Sequence, residues 1–219
     1  SGSWPGGSAY RRVRWRMNSN DQEIEVKFYV RDLAAVRVRL EALGAVLAAE
    51  RVLEHNLRFD TPDGRLTQKG LVLRLRRDRR AVLTFKGPSR PDASVAERTE
   101  IEVEVGDFDA ARRLLEALGY RVGVMYEKYR TTYRLGELEV VLDELPYGHF
   151  VEIEGPDADA IQAGAEQLGL DWEVRCVKSY LALFNHLVNR RLLDARNLTF
   201  AELKGVSVSA ADLGLQPAD

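Results

Sequence analysis

The sequence predicts an α+β fold in which a closed β-barrel with a charged interior carries helices on its outer surface. Three observations support this prediction: an internal repeat, strands whose polar faces hold mostly Glu, Lys and Arg, and four amphipathic helices. The apolar stripes of the helices need the apolar faces of the strands to pack against. The charged faces would then point inward, into a barrel wide enough to admit water and a ligand.

The composition bounds what this chain can be. With 219 residues and 45% apolar residues, it can bury one sizeable core. A net charge of -2, with 30% charged residues, excludes a general nucleic-acid binder. A single cysteine, Cys176, excludes a disulfide framework and a cysteine-based zinc cluster.

The start of the chain shows no targeting segment. Residues 1–16 lack the apolar stretch of a signal peptide, and no apolar run approaches the roughly 18 residues that cross a bilayer. Met17 resembles a natural start. We therefore expect a cytoplasmic protein without a membrane partner, in which residues 1–17 are disordered or were added for expression.

The internal repeat organises the rest of the chain. EIEVKFYVRDLAAVRVRLEALGAV begins at Glu23, and EIEVEVGDFDAARRLLEALGYRV begins at Glu100. Both copies match through a strand, a helix and a closing Leu-Gly. Two copies are too few for a solenoid, so they predict one pseudo-two-fold domain. We expect this domain at 18–193, followed by a C-terminal tail at 194–219.

The helices follow from apolar spacing and caps. In the first copy Asp32 is the predicted N-cap, the apolar stripe extends from Leu33 to Leu47, and Gly44 marks a stop near the end. The second copy has its stripe from Phe108 to Leu118. Two further helices are predicted at 157–168 and 179–193.

The strands follow from period-2 alternation. The strand-like segments are 23–28, 71–76, 81–86, 100–105, 129–133, 137–143 and 150–154. The segment 87–96 contains two prolines and is predicted to be a mobile loop at a tunnel mouth.

The residue types on the polar faces point to a ligand. A sheet face in contact with water would ordinarily include Thr, Ser and Gln, whereas here it holds long charged side chains of both signs. An ion enclosed without compensation costs several kcal/mol. Carboxylates can bind a divalent cation, and Lys and Arg can surround a polyanion. A triphosphate with Mg²⁺ supplies both partners.

Several motifs resemble one known family. The ExExK strand at 23–27 resembles the opening of the CYTH family, also called triphosphate tunnel metalloenzymes. Further matching segments are LRLR at 73–76, TFKGP at 84–88, RTEIEVEV at 98–105, EKYR at 127–130, LDELPYGHFVEIEG at 142–155 and KSY at 178–180. The resemblance covers about residues 22–186, and the most similar branch is class IV adenylyl cyclase. It implies a closed antiparallel eight-stranded barrel with helices outside.

The resemblance also implies a set of site residues. Glu23, Glu25 and Glu154 would be ligands of the first Mg²⁺, with Mn²⁺ as the alternative metal. Support for this metal, or ligands for a second ion, would come from Glu152, Asp143 and Glu102. The phosphate clamp would consist of Lys27, Arg74, Arg76, Lys86, Arg130 and Lys178, with Lys86 and Lys27 as the catalytic pair. The structural alternative for Glu100, Glu102 and Glu104 is that they balance Arg74 and Arg76.

One position departs from the family pattern. Some triphosphatases of the family pair a Tyr with a Lys to activate water. Here Arg58 or Phe59 stands where that Tyr is expected. A Tyr–Lys dyad is therefore not expected, and Lys86 would need another partner.

Three functions remain open at this stage. The first is hydrolysis of inorganic triphosphate or of a nucleoside or other organic triphosphate. The second is an adenylyl cyclase that converts ATP to cyclic AMP and pyrophosphate. The third is a non-catalytic module that binds polyphosphate or nucleotide. The expected partner is a small-molecule triphosphate rather than nucleic acid, and a homodimer through an outer helix face is open.

Overall fold

Eight antiparallel strands close into a barrel in the computed structural model, which describes residues 22–89 and 94–219. The strands are β1 (Gln22–Val30), β2 (Val46–Asp60), β3 (Val72–Arg77), β4 (Ala81–Lys86), β5 (Ala96–Val105), β6 (Arg121–Leu135), β7 (Leu138–Leu145) and β8 (Gly148–Glu154). Their order around the barrel is β1-β5-β4-β3-β2-β6-β7-β8, and β8 pairs with β1 to close it. The predicted fold class is confirmed.

Five α-helices in the described part of the chain flank the strands. They are α1 (Leu33–Ala42), α2 (Arg65–Gln68), α3 (Phe108–Ala117), α4 (Ala158–Gln167) and α5 (Tyr180–Arg191). The side chains of Asp32, Asp107, Asp157 and Ser179 accept backbone N–H bonds at the starts of α1, α3, α4 and α5. These caps set the starts of the four predicted helices. None of the helices in the described residues is long and apolar enough to span a membrane.

The end of the first helix was predicted too late. α1 ends at Ala42, Gly44 has φ +77°, and Leu47 lies in β2 rather than in the helix. The sequence gives no clear alternation here because β2 shifts register against β6 at two places between Leu47 and Val52. The whole of β2 was consequently not placed from the sequence.

The apolar core lies between the barrel and its helices. α1 and α4 cover the outer faces of β1, β7 and β8, where Phe28, Val140 and Ile153 are fully buried. α3 covers β2 and β3, and Leu57 and Leu75 are buried beneath it. Because the apolar faces point outward, the opposite faces of the same strands line the interior.

The last part of the chain packs over one end of the barrel. Leu198 forms a bridge beside Tyr126, and its N–H donates to the Met125 carbonyl at 2.9 Å. The Asp219 carboxylate accepts the backbone N–H groups of Arg31 and Asp32 at 2.9 to 3.0 Å. Residues 194–219 are therefore tied to β6 and to the start of α1.

Two predicted features fall wholly or partly outside the described residues. The leader at 1–17 is one of them. The loop at 87–96 is the other, because residues 90–93 are not described.

Candidate active site

The inside of the barrel is a polar cavity of about 530 Å³. Of its 24 lining residues, nine are Lys or Arg and seven are Glu. The cations are Lys27, Arg58, Arg74, Arg76, Arg80, Lys86, Arg98, Lys128 and Arg130, and the carboxylates are Glu23, Glu25, Glu100, Glu102, Glu139, Glu152 and Glu154. The predicted charged interior is therefore confirmed.

Most of the predicted site residues meet in this cavity. Those that line it are Glu23, Glu25, Lys27, Arg74, Arg76, Lys86, Glu102, Arg130, Glu152 and Glu154. Lys178 is exposed and does not belong to the lining, although Ser179 beside it does. Asp143 is fully buried behind the lining.

Five carboxylates crowd one side of the cavity, which we call the acidic wall: Glu23, Glu25, Glu139, Glu152 and Glu154, on β1, β7 and β8. Glu154 stands opposite Glu25 on one side and opposite Glu139 on the other. Burial, followed by Glu23 and Glu139, raises the pKa of Glu154 to about 7. No described residue forms an ion pair with Glu154. Negative charge is therefore in excess at this position.

Two lysines pair with three of the other four carboxylates of the acidic wall. Lys86 Nζ lies 2.6 Å from Glu23 Oε1, and Lys27 contacts Glu25 and lies 3.1 Å from Glu152 Oε2. Burial works to raise the pKa of Glu23, but Lys86 and Arg98 hold it at about 2. Burial and Glu152 raise the pKa of Glu25 in spite of Lys27.

The donor chemistry of the acidic wall fits a divalent cation. Carboxylate oxygens are the hard ligands that Mg²⁺ and Ca²⁺ take in proteins, and a cation would relieve the crowding around Glu154. In the parts of the chain that the structure describes, no three Asp, Glu, His or Cys side chains are yet gathered closely enough to hold an ion. Lys27 and Lys86 occupy the oxygens that such an ion would need.

Asp143 lies behind the lining and anchors a hydrogen-bonded group, which we call the Asp143 cluster: Asp143 with Lys128, Arg130 and Tyr180, all three of which line the cavity. Asp143 Oδ1 accepts from Arg130 at 2.7 Å. Asp143 Oδ2 accepts from Lys128 at 2.9 Å, Arg130 at 2.6 Å and the Tyr180 hydroxyl at 2.8 Å. Neither oxygen is free for a metal ion. The predicted role of Asp143 in a metal site stays a prediction without support from these contacts.

The opposite side of the cavity has a different character. We call it the basic wall: Arg58 on β2, and Arg74 and Arg76 on β3, with Asn56 of β2 completely buried outside the lining. Arg58 stands directly opposite Arg74, and Asn56 opposite Arg76. Arg74 donates to Glu102 at 3.2 Å and to the Tyr126 hydroxyl at 3.3 Å, and Arg76 to Glu54 at 3.3 Å. Burial works to raise the pKa of Tyr126, but Arg74 and Lys128 lower it below the usual value.

The barrel shows which of residues 58 and 59 faces the cavity, at the place where the tyrosine of the dyad was expected. Arg58 faces the cavity, whereas Phe59 is buried in the outer core. Lys86 has no tyrosine partner among the described residues and contacts Glu23 and Glu100 instead. Burial raises the pKa of Glu100 to about 8, although Lys86 opposes it.

Sequence reasoning did not assign several residues to the site. They are Glu54, Asn56, Arg58, Arg98, Tyr126, Lys128, Glu139 and Tyr180. Three of them alternate on β2, which was not placed. Lys128 could have been found, since it lies two residues before Arg130 on the same strand face.

Comparison with known proteins gives consistent results. The CYTH domain family matches residues 21–175. Adenylate cyclase CyaB of Aeromonas hydrophila is 33% identical over 135 residues, which are 60% of this chain and 67% of that protein.

Solved structures share the fold. A Vibrio parahaemolyticus protein named for adenylate cyclase has a TM-score of 0.67 at 27% identity, covering 74% of this chain and 97% of its own. A Hippeastrum protein, named for adenylyl cyclase and described with a dominant triphosphatase activity, has a TM-score of 0.55 at 21% identity, covering 74% and 95%. The latter likeness concerns the fold alone. The family match spans most of the chain, and the chain therefore belongs to the CYTH family, the triphosphate tunnel metalloenzymes.

Proposed function

We propose that this protein hydrolyses a triphosphate, inorganic or organic, in a Mg²⁺-dependent reaction inside the barrel. The observation that carries the proposal is the cavity lining, in which two thirds of the residues are charged. The apolar lining in the described residues is limited to Gly70, Leu71, Val72 and Leu181, apart from two tyrosines. Such a surface favours the phosphate chain over a nucleobase.

The metal is assigned to the acidic wall. Membership of a metalloenzyme family implies a divalent cation, and Glu23, Glu25 and Glu154 would hold it. We propose Mg²⁺, with Mn²⁺ as the alternative, because carboxylate oxygens suit both ions. When bound, the ion would neutralise charge on the phosphate oxygens.

We expect Lys27 and Lys86 to change partners when the substrate binds. Lys86 and Lys27 pair with Glu23 and Glu25 in the ligand-free protein. A phosphate chain offers these ammonium groups new oxygen partners, and their transfer to it frees the carboxylates. Arg74, Arg76 and Arg130 then hold the chain from the other sides. Phosphoryl transfer asks mainly for such positioning and charge stabilisation, followed by attack of water on the terminal phosphorus.

Adenylyl cyclase is the second candidate. It is favoured by the 33% identity to a protein of that name. In this reaction the ribose 3′-hydroxyl attacks the α-phosphorus and pyrophosphate leaves, so the same two walls would serve. A binding module without turnover is the third, and the full set of carboxylates on the acidic wall disfavours it.

Product analysis separates these functions. Purified protein is incubated with Mg²⁺ and either inorganic triphosphate or ATP, with EDTA as the control, and the products are resolved by ion-exchange chromatography. We expect orthophosphate and no cyclic nucleotide. Cyclic AMP with pyrophosphate would establish the cyclase instead, and no product with either Mg²⁺ or Mn²⁺ would leave the binding module.

The metal assignment has its own test. Glu25→Gln should lower kcat/KM by at least about a hundredfold, since it removes one of the carboxylates that would hold the cation at the phosphates. Glu104→Gln is the matched control, because Glu104 is exposed and pairs with Arg80. Turnover by Glu25→Gln at the rate of the control would rule out the assignment.

A further inference from the structure

Arg58 differs from the other cations that line the cavity. Eight of the nine lie within 4.0 Å of a carboxylate oxygen: Lys27, Arg74, Arg76, Arg80, Lys86, Arg98, Lys128 and Arg130. Among the described residues, Arg58 has no such partner and no side-chain hydrogen bond. Its charge therefore faces the cavity uncompensated.

The neighbours of Arg58 share this lack of partners. In the described residues, the buried side-chain polar atoms without a hydrogen bond are Glu54 Oε2, Asn56 Nδ2 and Oδ1, Arg58 Nε, Arg74 Nε and Arg76 Nε. All belong to β2 and β3, which pair in register. The amide of Asn56 is completely buried and uses neither its donors nor its acceptor. The unsatisfied groups are thus concentrated on and beside the basic wall.

This arrangement is unfavourable without a ligand. An unpaired buried amide or guanidinium loses its hydration and gains nothing in return. Burial lowers the pKa of Arg58, and the like charges of Arg74 and Arg98 add to this, although Tyr126 and Asp60 oppose it. A phosphate group supplies what is missing, because its oxygens accept several N–H bonds and its charge offsets the guanidinium.

We propose that Arg58 is a further substrate-binding residue, which forms with Arg74 a subsite for one phosphate group of the triphosphate. Both guanidinium groups line the cavity and donate to the phosphate oxygens, whereas Asn56 is completely buried outside the lining. The subsite rests on the proposed function for the identity of its ligand.

Binding and stability together test this subsite. Affinity for inorganic triphosphate is measured by isothermal titration calorimetry in EDTA for the wild type, Arg58→Met, Arg58→Lys and Arg79→Met. Arg79 is an exposed control whose nearest carboxylate, Glu50, lies 3.6 Å away. We expect a 10- to 100-fold loss of affinity for Arg58→Met. Arg58→Lys should lose less, and Arg79→Met should bind like the wild type.

The melting temperature of the ligand-free protein should move in the opposite direction. Arg58→Met removes an unpaired charge, so its Tm should rise by about 2 to 4 °C. Wild-type affinity in Arg58→Met would overturn the subsite, and so would a fall in Tm, which would indicate a structural role.

Failure of the subsite and failure of the proposed function are distinguishable. If the wild type binds triphosphate without hydrolysing it, and Arg58→Met binds weakly, the proposed function fails and the subsite stands. If the wild type hydrolyses triphosphate and Arg58→Met binds as tightly as the wild type, the subsite fails alone. A wild type that binds triphosphate neither in EDTA nor with Mg²⁺ overturns both.

Discussion

The Asp143 cluster and the basic wall are two charged regions of one barrel, and they are satisfied to very different degrees. Asp143 is completely buried and accepts four bonds of 2.6 to 2.9 Å from three side chains. The basic wall has cations in the same enclosed space, but among the described residues Nε of Arg58, Arg74 and Arg76 has no hydrogen-bond acceptor. The charged groups of the first region make their hydrogen bonds within the protein, whereas several donors of the second region do not.

The difference indicates two roles for buried charge. A group whose bonds are all made within the protein stabilises one geometry, and here it fixes Lys128 and Arg130 relative to α5. A group left unsatisfied lowers the stability of the ligand-free protein and is retained for what it binds. Mutations in the two regions should therefore change stability in opposite directions.

The largest effect is expected at Asp143. Asp143→Ala leaves Lys128 and Arg130 buried with fewer partners and should lower the free energy of unfolding by about 3 to 5 kcal/mol. Chemical denaturation measures this loss. Glu104→Ala, at an exposed ion pair, is the control and should cost less than about 1 kcal/mol. Equal losses in the two variants would contradict the comparison.

A pH series examines Glu54, which joins the two regions. Burial works to raise the pKa of Glu54, but Lys128, Arg130 and Arg76 hold it at about 2, below its ordinary value of 4.5. A depressed pKa gives stability that is complete above about pH 4.5 and disappears as the pH falls towards 2. This share is on the order of 3 kcal/mol.

Glu54→Gln should remove that share of the pH dependence. Between pH 5 and pH 2.5 the free energy of unfolding should fall less steeply in the variant than in the wild type. Parallel curves would show that Glu54 does not depend on the three cations.

A smaller effect of opposite sign is expected at Asn56. Asn56→Leu replaces an unsatisfied buried amide by an apolar group of similar size, and it should raise the stability of the ligand-free protein by about 1 to 2 kcal/mol. A clear loss of stability would mean that the amide is satisfied in the folded protein, and it would remove one support of the proposed subsite.

The fold was predictable because each strand pairs an apolar outer face with a charged inner face. Glu23, Glu25 and Lys27 already point to one interior, and their counterparts on other strands converge on it. The one strand missed, β2, has its alternation interrupted by register shifts at its start, between Leu47 and Val52, although Glu54, Asn56 and Arg58 alternate beyond them. Because β2 was not placed, Glu54, Asn56 and Arg58 were not assigned to the site. Only Arg74 and Arg76 of the basic wall were therefore predicted.

The sequence could not show which charged side chains have a hydrogen-bond or ion-pair partner. The identity of Asp143 as a carboxylate says nothing about its four bonds, and Arg58 looks no different from Arg74 in a sequence. Which charges are satisfied depends on register across strands that are distant in the chain, such as Arg58 opposite Arg74. The strand pairing in the closed barrel is therefore needed to distinguish charged groups that stabilise the fold from those available to bind a ligand.

The most direct test measures the affinity for inorganic triphosphate with and without Mg²⁺ in the wild type and in Glu25→Gln. Mg²⁺ should tighten binding to the wild type, because the ion joins the acidic wall to the phosphates. In Glu25→Gln this gain should disappear, while metal-free binding should be at least as tight as in the wild type, since Lys27 is released from Glu25. An undiminished Mg²⁺ gain in the variant would contradict the division of the cavity into a metal wall and a phosphate wall.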